Sequence, residues 1–362
     1  MAVAGDSMFG RAIASESDKL VPTIDERLNA LERAAPLTMQ FKGATANEAL
    51  KWQADFRAKL DQLLGPYQPP KSWDCVLERR VELPEFVREE RVLTSPGLAP
   101  LPFFLLRPKV SEKPYGPAML AIHGHGTFGH ETVCGVDDTP EHRAEIERFR
   151  YDYGRKLAEH GYIVAAPCLT PFGRRLGEVR KTVKYDPCTK ANMELQYLGK
   201  LLIAENLRDI LWTFEYLAHH EAVDADRIGA AGLSLGGRMT MMAAAVEPRI
   251  RVATMAGALN CLQERTLHGS IAGCQLIPGL FEYGDVPEIS ALIAPRHCLW
   301  ECGAADPHVP ADWIEPMLQR QGSVYSALGV ADRLTTDRWE GGHQWHGDVA
   351  YPLLAKVLGG RA

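Results

Sequence analysis

The sequence predicts an α/β protein built on a mainly parallel central sheet with helices on both faces. From about residue 117 onward, short apolar runs alternate with longer amphipathic segments. The runs are apolar throughout rather than at every second residue, as expected of strands buried on both faces. Size and composition agree: 362 residues, 46% of them hydrophobic, suffice for one large α/β domain.

In chain order, residues 1–44 are weakly patterned. Thr45 to Leu64 reads as a helix, with Thr45 and Glu48 at capping-box spacing and Trp52, Phe56, Leu60 and Leu63 at helical intervals. Gly65-Pro66 stops it, and Tyr67 to Pro70 reads as a linker. The expected division is therefore 1–74, a helical extension, and 75–362, the main domain. The extension is expected to pack on that domain or on a neighbouring subunit, which leaves a homodimer open. Segments 76–83, 87–94 and 101–107 predict an opening antiparallel set. Strands are then expected at 117–123, 162–166, 227–233, 250–256, 296–302 and 333–339. The intervening helices are expected at 151–160, 193–219, 235–246, 311–321 and 347–358. Residues 257–295 form a longer insertion, a candidate cap or pocket wall.

Composition excludes several functions. A net charge of −6 offers no basic surface for phosphates, so nucleic acid is not an expected partner. No run reaches the ~18 apolar residues of a spanning helix, and the N-terminus has no apolar core behind a basic segment. No membrane association is expected, and a cytoplasmic location is. The eight cysteines form no C-x-x-C pair and no zinc-ligand spacing, so they are expected reduced and mostly buried. No cofactor or metal is expected.

The residues that carry chemistry begin with Gly232-Leu233-Ser234-Leu235-Gly236-Gly237, a G-x-S-x-G string between an apolar strand and a good helix. A serine hydroxyl needs exposure, positioning and a base, and a tight strand-to-helix turn lined by glycine supplies the first two. Acyl transfer also needs donors aimed at the developing oxyanion. The backbone N–H of Leu235 is one candidate. The other lies in His123-Gly124-His125-Gly126, with the His125 N–H preferred and Gly126 close behind; that stretch read alone is also a simple turn or an H-x-H metal pair. The base is expected after the last strand, in Gly341-Gly342-His343-Gln344-Trp345-His346, where His343 is preferred and His346 competes. Asp306, on the loop after strand 296–302, is the expected acid, with Glu301 and Asp312 as alternatives.

With these segments placed, residues 75–362 resemble the α/β-hydrolase superfamily, most closely at His123–Gly126, Asp224–Gly237, Gly303–Pro310 and Gly341–His346. Val223-Asp224-Ala225-Asp226-Arg227-Ile228 looks like the dienelactone-hydrolase-like and prolyl-oligopeptidase-like branch. The N-terminal extension and Gly342 to His346 are similar to acetyl-xylan-esterase-like members. Three departures narrow the implied chemistry. Ser234 stands where dienelactone hydrolases proper carry cysteine. The first 75 residues cannot supply the propeller of the prolyl peptidases. Leu235 replaces the glutamine usual in cephalosporin-deacetylase-like esterases. The resemblance implies an α/β-hydrolase fold and a small-molecule carboxylic ester as substrate, short-chain or sugar acetyl, cleaved by Ser234, His343 and Asp306. Amide, carbamate or carbon–carbon cleavage by the same triad is the alternative, and a non-catalytic binding protein on this scaffold is a second. Pocket residues are expected among His123, Gly126, Trp345 and His346. Segments 127–140, 170–190 and 257–295, with Arg174, Arg175 and Tyr185, could contribute too.

Overall fold

A computed structural model describes residues 22–109, 115–178, 186–268 and 272–360. The extreme N-terminus, on which the expectation of no leader segment rested, lies outside them, as does Tyr185. Nine strands form one sheet in the order β1-β2-β3-β5-β4-β6-β7-β8-β9. They are β1 Asp74–Glu82, β2 Phe86–Thr94, β3 Leu101–Pro108, β4 Gly116–Ile122, β5 Ile163–Pro167, β6 Val223–Leu233, β7 Ile250–Ala256, β8 His297–Gly303 and β9 Leu334–Trp339. The first three pair antiparallel, and β3 joins β5 antiparallel. Every pairing from β5 through β4 and β6 to β9 is parallel.

The apolar runs have a simple cause. Side chains alternate across a strand, and here both faces are covered. On β4, Ala118, Leu120 and Ile122 enter one core while Met119 and Ala121 enter the other. The larger core is completed by helices Leu202–Ala218 and Leu235–Val246, and the smaller by Tyr153–Glu159 and Ala350–Leu358.

Three stretches differ from the pattern reading. The single helix expected over 193–219 is two, Pro187–Tyr197 and Leu202–Ala218. The break falls at Gly199, whose φ of +69° lies in the left-handed region that glycine enters without steric cost. A helix Ile24–Arg33, started by a Thr23/Glu26 capping box, lies within the weakly patterned N-terminus. The helix expected over 311–321 runs on to Ala327, past an internal Pro316.

The N-terminal extension packs on its own chain. Helix Ala46–Leu64 buries Ala49, Phe56, Leu60 and Leu64 in the larger core. Gln53 Nε2 donates to the carbonyls of Ala291 (2.9 Å) and Ala294 (2.8 Å). The N–H groups of Leu37, Thr38 and Met39 donate to the carbonyls of Phe281, Glu282 and Tyr283. Insertion 257–295 is therefore held from outside by the extension, and it buries Val286, Ile289, Leu292 and Ile293 from within. All eight cysteines are free thiols, seven of them buried. Among the described residues, no helix is long and apolar enough to cross a membrane.

Candidate active site

The carboxyl ends of β4, β6, β8 and β9 converge, and each carries one sequence-predicted group on the loop that follows. Ligands of open α/β sheets bind at this end because the loops there can approach one another. Ser234 sits between β6 and helix Leu235–Val246 with φ 63° and ψ −122°. A non-glycine residue rarely adopts that geometry, at a cost of order 1–3 kcal/mol. The turn is held by the Ser234 N–H donating to the Ala256 carbonyl at 2.8 Å. It also requires Gly236: a Cβ there would stand 1.9 Å from the Ile122 carbonyl oxygen, so no side chain fits.

His343 follows β9 and Asp306 follows β8. The imidazole Nδ1 lies 2.8 Å from Asp306 Oδ2, and the Asp306 side chain is 1% exposed. The other Asp306 oxygen accepts the His308 N–H at 2.8 Å. The carboxylate is thus fixed by two donors, and the imidazole is fixed by the carboxylate. With Nδ1 committed, Nε2 is the nitrogen left for proton transfer. The His343 ring borders Gly257 so closely that a Cβ at Gly257 would lie 2.7 Å from its Cε1.

The loop after β4 brings a third component. The Gly124 and Gly126 N–H groups both donate to the Tyr151 hydroxyl, the latter at 3.4 Å, and the Thr127 N–H donates to Glu145 Oε1 at 2.6 Å. Between them, the His125 N–H has no protein acceptor among the described residues. Leu235 is the first residue of its helix, where amides lack intrahelical partners and the helix dipole favours negative charge. Ser234, Leu235, His125, Gly126, Tyr151 and His343 all line one cavity of about 900 Å³.

Residues 199–259, which contain β6, the serine turn and β7, match the family model described as prolyl oligopeptidase family. "Putative hydrolase YtaP" of Bacillus subtilis (strain 168) is 28% identical over 303 residues, covering 80% of this chain and 94% of that protein. A "putative acetyl xylan esterase" from Bacteroides fragilis NCTC 9343 superposes with a TM-score of 0.74 at 20% identity, covering 90% of this chain and 84% of its own. A glucuronoyl esterase from Solibacter usitatus superposes with a TM-score of 0.62 at 16% identity, covering 86% and 94%. The chain has the α/β-hydrolase fold.

Within this fold, three candidate pocket residues lie elsewhere. His123 is fully buried: its Nδ1 meets the Gly124 carbonyl at 2.8 Å and its Nε2 accepts the Leu169 N–H at 2.9 Å. Burial holds its pKa down at about 4, so the ring is a neutral strut under the loop. Trp345 is 2% exposed, stacked on Tyr153 at 4.8 Å and donating to the Tyr351 hydroxyl at 3.1 Å. His346 joins Asp337 at 2.6 Å and stacks on Trp339 at 4.3 Å. None of the three lines the cavity. Gly342, His343 and Gln344 line the cavity, whereas Trp345 and His346 pack away from it. Of the alternative acids, Glu301 is buried and accepts the His346 and Gly347 N–H groups, while Asp312 stands exposed in the first turn of Ala311–Ala327.

The insertion, expected as a pocket wall, lends the cavity Gly257, Ala258, Arg265 and Gln275. Sequence reasoning did not single out Glu145 and Arg148 from helix Pro140–Phe149 or Arg238 from the first turn after the serine. Arg238 is 2% exposed, and one nitrogen donates to Asn260 Oδ1 at 2.6 Å. Burial, reinforced by the neighbouring Arg265 charge, pulls its pKa down to about 9. An arginine one helical turn beyond a serine was visible in the sequence, yet nothing local distinguished it from a surface charge.

Proposed function

We propose that the protein is a serine esterase acting on a carboxylic ester, with Ser234 as nucleophile, His343 as general base and Asp306 as its orienting acid. The observation that carries this reading is the Asp306-held imidazole sharing one cavity with a serine in a strained strand-to-helix turn. Ser234 Oγ attacks the ester carbonyl carbon as its proton passes to His343 Nε2. The Leu235 and His125 amides receive the oxyanion. The tetrahedral intermediate collapses, the C–O bond to the alcohol breaks, and His343 returns the proton to the departing oxygen. Water, deprotonated by the same imidazole, then attacks the acyl-serine, and the acid leaves as Ser234 recovers its proton. Asp306 orients the ring and stabilises the imidazolium.

A polar alcohol portion suits the cavity, whose wall includes Arg238, Arg265, Gln275 and His308. Hydrogen-bonding groups of that density favour a hydroxylated leaving group such as a sugar over a long alkyl chain. The structural neighbours named for acetyl xylan and glucuronoyl esters support the same class. The prolyl oligopeptidase match keeps amide cleavage as the second reading.

The deciding experiment compares p-nitrophenyl acetate, butyrate and octanoate, an acetylated xylo-oligosaccharide, and a 4-nitroanilide, for wild type and Ser234→Ala. The reading expects ester turnover falling with acyl length, sugar deacetylation, and a loss of at least ~10³-fold in the variant. Turnover confined to the anilide would transfer the reading to amide cleavage. Equal rates in variant and wild type would remove Ser234 from the mechanism.

A further inference from the structure

We propose that His125, Cys188 and Cys274 form a binding site for a thiophilic divalent cation, Zn²⁺ by preference, at the wall of the active-site cavity. One potential ligand atom from each lies within 4.8 Å of the other two. His125 Nε2 and Cys274 Sγ are already 3.2 Å apart. Tetrahedral zinc, with Zn–S about 2.3 Å and Zn–N about 2.0–2.1 Å, needs ligand atoms roughly 3.5–3.8 Å from one another.

The positions are fixed by structure that the esterase reading does not explain. Cys188 opens helix Pro187–Tyr197, and Cys274 lies in the short turn Gly273–Gln275 of the insertion. Gly273 lets the two segments touch: a Cβ there would fall 2.6 Å from Thr189 Cα. The His125 ring is held edge-on against Phe172, centroids 5.6 Å apart and planes at 74°. Both cysteines are buried while His125 is exposed on the cavity side. The two cysteines thus close the inner side of the site, and His125 joins it to the cavity.

Donor chemistry selects the metal. Two sulfurs and one imidazole favour zinc over the hard cations, which take oxygen. Binding replaces two S–H bonds by two S–Zn bonds and releases two protons, with no change of oxidation state. Two thiolates and one Zn²⁺ sum to zero charge, which suits a buried position. Bound metal would tie three separate segments together: the loop carrying the His125 amide, helix Pro187–Tyr197, and insertion 257–295. The inference stands apart from the ester reading, because its readout is ligation and not turnover.

The test is titration of reduced, metal-free full-length protein with Co²⁺, followed by displacement with Zn²⁺. One Co²⁺ per chain with a thiolate-to-cobalt charge-transfer band is expected, bleached by equimolar Zn²⁺. Cys188→Ser and Cys274→Ser should each weaken binding by more than about 100-fold and diminish the band, whereas Cys75→Ser, outside the cluster, should leave it unchanged. His125→Ala removes an exposed ring, so it reports ligation even if a serine variant folds poorly; it should shift the band. Absence of the band in reduced wild type would overturn the proposal. So would a band unaltered in all three cluster variants, or a Cys188–Cys274 disulfide in protein purified with zinc present.

Discussion

Ser234 holds φ 63° and ψ −122° because the glycines around it let the turn tighten, not because serine favours that conformation. The strain has a measurable consequence. Ser234→Ala and Ser234→Gly both remove the hydroxyl, but only glycine relaxes the backbone. Both are expected to lose turnover, and the glycine variant should exceed the alanine variant in unfolding free energy by about 1 kcal/mol. Urea denaturation of the two proteins checks this; equal stability would mean the elbow carries no strain. Gly257, at φ +60°, has the converse role. A methyl there would lie 2.7 Å from His343 Cε1, so Gly257→Ala should swing the imidazole out of line and lower kcat by about 100-fold or more. Steady-state kinetics beside a far-UV spectrum separates this from unfolding. That Ser234, His343 and Asp306 gather at one end of the sheet was legible because each stands in a short string at a strand end. The His125–Cys188–Cys274 cluster was not. Its members lie far apart in sequence, and only the docking of Gly273 on Thr189 brings their segments together.

At the scale of elements, apolar period was enough to place the strands and the helix after the serine, since both faces of the sheet are covered. It failed where a single backbone torsion decides. Leu195, Leu198 and Leu202 continue a helical stripe through Gly199, yet Leu198 ends 72% exposed because the chain turns there. Helix Ile24–Arg33 buries nothing, and its short stripe of Ile24, Leu28 and Leu31, present at helical spacing, stays exposed and was overlooked among the charged residues around it. Helix Ala46–Leu64 was detectable, but its partner was not, because the surface it covers belongs to a segment 240 residues away. Phe56 is 1% exposed and stacks on Trp52 with centroids 5.5 Å apart. Phe56→Ala is expected to cost about 3–5 kcal/mol of unfolding free energy. Because the same helix supports the insertion that lines the cavity, KM should rise together with the loss of stability. A guanidinium titration and a substrate-saturation curve on one preparation test both. Loss of stability with unchanged KM would show that the insertion keeps its shape without this support.

Across the whole molecule, pH acts on buried groups of opposite sign. Burial raises Glu301 to about 7, although the His346 and Gly347 amides donate to it. Its ordinary value is 4.5, so between pH 4.5 and 7 the folded state holds a proton that the unfolded chain has released. Its contribution is complete below pH 4.5 and is lost as pH rises through 7. The imidazole of His123 runs the other way. Its folded value of about 4 lies below the ordinary 6.5, so its contribution is complete above 6.5 and is lost as pH falls toward 4. Fully buried His130 shifts in the same direction as His123. The two trends oppose each other between pH 4.5 and 6.5, so Glu301 should blunt the rise with pH that the two histidines impose on the wild-type stability profile. Glu301→Gln removes one trend and keeps the other. Its unfolding free energy should therefore climb with pH across this window, by on the order of 2–3 kcal/mol more than wild type, even if the loss of one amide acceptor lowers the whole curve. Urea midpoints at pH 4.5, 5.5, 6.5 and 7.5 for both proteins give the comparison. Parallel profiles would mean that Glu301 titrates at its ordinary value and does not oppose the histidines.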